Sequence, residues 1–187
     1  MRRPEEFGGL ATVAGLLDEL AEFAPQDGDH VWLPDTNRRP APSTMVRLAF
    51  PDADIHVAAS QFGEDAHRLG RLRLDRTLTR TEHAVLVDRA VAWSKHDRSL
   101  DEIIAAFGPP SVTFGSPDPD RPKTLGHATA DRTAPVVAFH LGHAQAGTEP
   151  AANGVPPDGV ALLAVRVRED FVRGRRVTPR GGSYFSS

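Results

Sequence analysis

The chain has 187 residues, a net charge of −3 and 40% hydrophobic residues, which fits one globular domain, or two small ones, with a core that needs no covalent staples. It contains no cysteine, so disulfides and thiolate chemistry are excluded. A charge this small gives no reason to expect nucleic acid or a membrane surface as the main partner.

Arginine outnumbers lysine by 20 to 2. That bias fits recognition of phosphate or carboxylate by the guanidinium fork. It equally fits a bacterium with a GC-rich genome, because Ala, Gly and Pro are abundant too. The start, Met1-Arg2-Arg3-Pro4-Glu5-Glu6, is followed by no apolar run and does not read as a signal peptide. The longest apolar runs are about one strand long, too short to span a membrane. These features predict a cytoplasmic protein. Charge is uneven: residues 1–75 carry 13 acids and 8 bases, whereas residues 165–187 carry 6 bases and 2 acids.

The first periodic segment places Leu10, Val13, Leu17, Leu20 and Ala24 at helical spacing, and Pro25 ends it. Three short alternating stretches follow and read as strands buried on one face: Thr44–Phe50, Ile55–Ala59, and the pair Leu72 and Leu74. Gln61–Arg68 reads as a loop or a short helix. Thr79-Arg80-Thr81-Glu82 is a capping box. The helix it opens should run to about Ser94 and bury Leu86, Val87, Ala90, Val91 and Trp93. Ser99-Leu100-Asp101-Glu102 repeats the signal, and Leu100, Ile103, Ile104 and Phe107 form one apolar stripe. Gly108-Pro109-Pro110 ends that helix.

Three further strands are expected: Val112–Phe114, a central Pro135–Leu141, and Val160–Arg168 emerging to solvent through Val-Arg-Val-Arg. Residues 116–133 and 143–158 read as long loops, the latter mobile. The expected fold is α+β, a mainly antiparallel sheet of about six strands with about three helices packed on one face. Residues 1–170 would form one domain and residues 171–187 a flexible basic tail. Leu17-Asp18-Glu19-Leu20 and Leu100-Asp101-Glu102-Ile103 match locally. Two similar helix-plus-three-strand units, 8–75 and 79–169, would explain the match. The segment Leu100–Phe114, an amphipathic helix, Phe-Gly-Pro-Pro and a short strand, resembles the helix-plus-sheet units of several small bacterial binding and inhibitor proteins.

Asp52, Asp54 and His56 at i, i+2, i+4 would share one face of a strand, as a divalent metal would want, or simply form a polar turn. His127, His140 and His143 are weak metal candidates, because spacing of three on a strand points two rings to opposite faces. His140 is the best catalytic candidate, since apolar neighbours would desolvate it. No nucleophile elbow, phosphate loop or dinucleotide fingerprint occurs, and no cofactor is expected. Arg173, Arg175, Arg176 and Arg180, with Tyr184 and Phe185, could track nucleic acid. Trp32 with Arg38 and Arg39, and the acids Asp27, Asp29 and Asp35, could form a protein-binding surface.

The leading expectation is a small protein-binding module, such as an immunity or regulatory protein. The alternatives are an enzyme or ligand-binding domain with a pocket near His140, and nucleic-acid binding through the C-terminal arginines. The sequence leaves the oligomeric state open.

Overall fold

The computed structural model describes residues 55–143, 159–167 and 175–185. The described elements run α1 (Ile55–Arg68), α2 (Arg80–Trp93), α3 (Leu100–Phe107), β1 (Val112–Gly115), β2 (Lys123–His127), β3 (Val137–His143), β4 (Val160–Arg166), β5 (Arg175–Val177) and α4 (Pro179–Phe185). The five strands form one antiparallel meander in chain order, so the fold is α+β with β3 central.

Both capping boxes close as the sequence predicts. The Thr79 and Ser99 hydroxyls accept from the backbone N–H of Glu82 and Glu102, whose carboxylates reach back to the cap N–H groups. Gly108 ends α3 with φ of 75°, a conformation that favours glycine.

The helices lie on both faces of the sheet, not on one. On the first face, α2 and α3 pack over Leu125, Val137, Phe139, Leu141, Leu162 and Val165. A row of rings crosses this core: Trp93 meets Phe107 edge-on at 4.8 Å, and Phe107 meets Phe139 at 5.1 Å. On the second face, α1 packs over Val112 and Phe114. Phe114 fits there because neither neighbour has a side chain. A Cβ on Gly63 of α1 would collide with its ring, and one on Gly126 of β2 would lie 2.8 Å from Val112 Cγ1.

Several expectations need correction. Ile55–Ala59 begins a helix, not a strand. Its Ile-His-Val-Ala-Ala alternation is overridden because His56, Ser60, Gly63, Glu64 and His67 all turn inward at helical spacing. Leu72 and Leu74 lie in an irregular strap outside any strand, packed against the α1 core. Residues 123–127, expected to be loop, form the fully buried strand β2. β4 does not emerge to solvent, because Arg166 is wholly buried. Val91, expected inside, is exposed. Within the segment expected to be a flexible tail, residues 175–185 form β5 and α4. Thr178 anchors them, with its N–H donating to Leu163 O at 2.9 Å and its hydroxyl to Leu162 O at 2.8 Å. The predicted helix at 10–24, the strand at 44–50 and most of the first repeat unit lie outside the described residues.

Candidate functional site

A seam of polar side chains runs between α1 and the sheet. It begins with register: β2 and β3 pair Thr124 opposite His140, so both project to the α1 face. Helical spacing brings His56 over them. The Thr124 hydroxyl lies 2.8 Å from His56 Nδ1 and 2.9 Å from His140 Nδ1. All three residues are buried. The hydroxyl has one proton to donate and two lone pairs that accept, so it can bond both rings at once. The Thr124 oxygen therefore bridges the two imidazoles.

Two turns along α1, Glu64 forms an ion pair with Arg166 of β4 and accepts from the Val136 N–H at 3.2 Å. Arg166 Nη2 donates to Ser60 O at 3.3 Å. Burial pulls Arg166 down to about 10, so it stays charged at neutral pH and depends on Glu64. Sequence reasoning missed Ser60, Glu64, Thr124 and Arg166. The pairing of Glu64 with Arg166 spans about a hundred positions and depends on where α1 docks.

Three other histidines, His67, His83 and His127, are also buried. His127 is wholly buried, and its two ring nitrogens have no hydrogen-bond partner among the described residues. It meets the edge of Phe139 at 5.5 Å. Desolvation, then the positive charges of Arg76 and His83, lowers its pKa to about 4. His83 Nε2 donates to Pro135 O at 2.9 Å. Burial, reinforced by Arg132, also lowers His67. Lys123, buried at the start of β2, is lowered by desolvation as well. A shallow pocket of about 260 Å³ opens beside the start of α2, lined by residues including Leu78, Thr79, His83 and Asp131. Asp131 accepts there from the Thr133 hydroxyl and N–H.

A different feature marks the outside. The solvent face of α2 carries Thr81, Ala84, Val85, Asp88, Val91 and Ala92, all exposed. Val85 is 49% exposed and Val91 38%. They recur at helical spacing and form one stripe. The signal was available in the sequence. Ala84-Val85-Leu86-Val87 and Ala90-Val91-Ala92-Trp93 are apolar on every side of the helix, more than one buried face can use.

His127 and His140 stand on opposite faces of the sheet, and exposed His143 ends β3. No group of three or more potential ligands among the described residues could hold a metal. His56 lies on a helix, where i, i+2, i+4 spacing does not share a face; Asp52 and Asp54 lie outside the described residues. Of the C-terminal arginines, Arg176 is exposed on β5, Arg175 lies in β5, and Arg180 is buried. The Arg180 N–H donates to Asp97 Oδ1 at 2.9 Å. Arg173, Trp32, Asp27, Asp29, Asp35, Arg38 and Arg39 lie outside the described residues. No helix among the described residues is long and apolar enough to cross a membrane. Comparison with protein-family models, curated proteins and solved structures finds no match.

Proposed function

We propose that this chain is a non-enzymatic protein-binding module of the cytoplasm, such as an immunity or regulatory protein of a GC-rich bacterium, and that it binds through the outer face of α2. One observation carries the reading: the apolar stripe through Val85 and Val91 stands in solvent on a helix whose other side already packs on the sheet. Contiguous exposed apolar surface is characteristic of protein contact sites. The acids Asp27, Asp29 and Asp35 would add charge against a basic partner surface.

The test is capture from the native lysate with the full-length chain and with Val85→Asp/Val91→Asp. Both substitutions are on the surface and should leave thermal stability unchanged. A protein held stoichiometrically by the wild type and lost with the variant supports the reading. Identical capture profiles refute it.

A second reading rests on the hydroxyl between His56 and His140, the arrangement of a proton relay. It requires that a small molecule reach the seam. Native mass spectrometry of the purified protein checks this. A retained metabolite that His140→Asn loses would favour enzyme or ligand-binding chemistry. Nucleic-acid binding draws less support, since Arg180 lies inside the fold.

A further inference from the structure

The pocket beside the start of α2 has an open acceptor at its side. It lies between the first turn of α2 and the loop that joins β2 to β3, and Leu78, Ala130 and Ala134 give it apolar walls. The hydroxyls of its lining already have partners. Thr79 accepts from the Glu82 N–H, and Thr129 accepts from the Asp131 N–H and donates to the Asp131 carbonyl. At the rim, Arg80 Nη2 stands 3.4 Å from Asp131 Oδ2, so the two charges face and offset each other.

His83 differs from these groups. It lines the pocket and is 8% exposed. The Pro135 carbonyl can only accept, so the 2.9 Å contact puts a hydrogen on His83 Nε2. In the neutral ring Nδ1 is then bare. It makes no hydrogen bond among the described residues and, unlike both ring nitrogens of His127, it is not sealed from solvent. A backbone carbonyl that holds one ring nitrogen fixes which face of the imidazole is presented to a ligand. Apolar walls with a few placed polar groups are the usual make-up of a small-molecule site.

We propose that this pocket binds a small neutral molecule with one O–H or N–H donor on a short apolar body, and that the donor bonds His83 Nδ1. The walls select the apolar body, the open acceptor selects the donor, and the offset charges at the rim leave an ion no net attraction. The volume of about 260 Å³ limits the ligand to well below drug size. Neither Val85 nor Val91 lines this pocket, so this site and the outer face of α2 stand or fall separately.

Cyclopentanol and cyclopentanone test the site in the full chain, because they share size and ring and only the alcohol has a donor. Nitrogen-15 NMR of the histidine rings reads the contact directly, and the His83 signals are those missing from His83→Phe. At mildly alkaline pH, where imidazoles are neutral, the free protein should show His83 with hydrogen on Nε2 and a bare Nδ1. Cyclopentanol should shift the Nδ1 resonance saturably, with half-saturation in the millimolar range expected of so few atoms. Cyclopentanone should bind about fivefold more weakly, the effect of losing one hydrogen bond. Ala134→Leu, which fills the pocket from its wall, should abolish the cyclopentanol shift while Nδ1 stays bare. Hydrogen on Nδ1 in the free protein, or no saturable shift with cyclopentanol, would overturn the proposal. Equal binding of alcohol and ketone would overturn the donor contact, and undiminished binding to Ala134→Leu would overturn the pocket as its place.

Discussion

Replacing His127 by leucine should remove much of the protein's sensitivity to acid between pH 7 and 5. The imidazole is wholly buried between β2 and the α2–α3 layer, and burial is the main reason its pKa falls from 6.5 to about 4. Between those two values the unfolded chain binds a proton that the folded chain refuses, so stability falls as pH falls. The lowered pKa makes the native state about 2 kcal/mol less stable at pH 5 than at pH 7, and about 3 kcal/mol less stable below pH 4. For a chain this long, 2 kcal/mol corresponds to roughly 4–8 °C in melting temperature. Leucine has similar bulk and no nitrogen to leave unbonded, so it should be neutral or stabilising at pH 7. The assay is thermal unfolding of both proteins at pH 7, 6 and 5. The variant should lose several degrees less than the wild type. His67, lowered in the same direction, will leave a residual slope in both. A variant with the full wild-type loss would refute the assignment.

Three other substitutions test the packing. Glu64→Ala leaves Arg166 charged and unpaired in the interior and should cost about 3–5 kcal/mol in denaturant unfolding. The double change Glu64→Leu/Arg166→Met should recover most of it, and failure to recover would show that the pair is needed for the fold itself. Gly126→Ala should destabilise by about 1–3 kcal/mol, because its methyl must displace Val112 and Phe114. An unchanged melting temperature would contradict the close packing of Val112 and Phe114 against β2. Thr79→Ala should cost about 1 kcal/mol by leaving the Glu82 N–H without its cap, and Thr79→Ser should restore it.

Local signals were legible in this sequence, and long-range ones were not. The starts of α2 and α3 are written in four residues each, and both capping boxes close as expected. β3 reads as central because its residues are apolar on both faces. The polar inward face of α1 hides its helical period. His56, Ser60, Glu64 and His67 occupy positions where periodicity analysis looks for apolar residues. β2 is hidden for a related reason. Lys-Thr-Leu-Gly-His resembles a loop until its neighbours bury it, since Thr124 has His56 and His140, and Gly126 makes room for Phe114. Arg166 suggested an exit to solvent, because only the docking of α1 supplies the carboxylate that keeps it inside. At the candidate site, apolar neighbours pointed to a buried His140, and it is buried. Its partner Thr124 follows from strand register across sixteen positions, which composition does not encode.

The most direct test of the central claim is a footprint of α2 in the cell extract. Single cysteines at Val85 and at exposed Asp101 of α3, in the otherwise cysteine-free chain, would be labelled with a maleimide in native lysate and in dilute purified form. The account predicts that position 85 is labelled much more slowly in lysate while position 101 is unaffected. Equal labelling of position 85 in both conditions would contradict the assignment of the outer face of α2 as a binding surface.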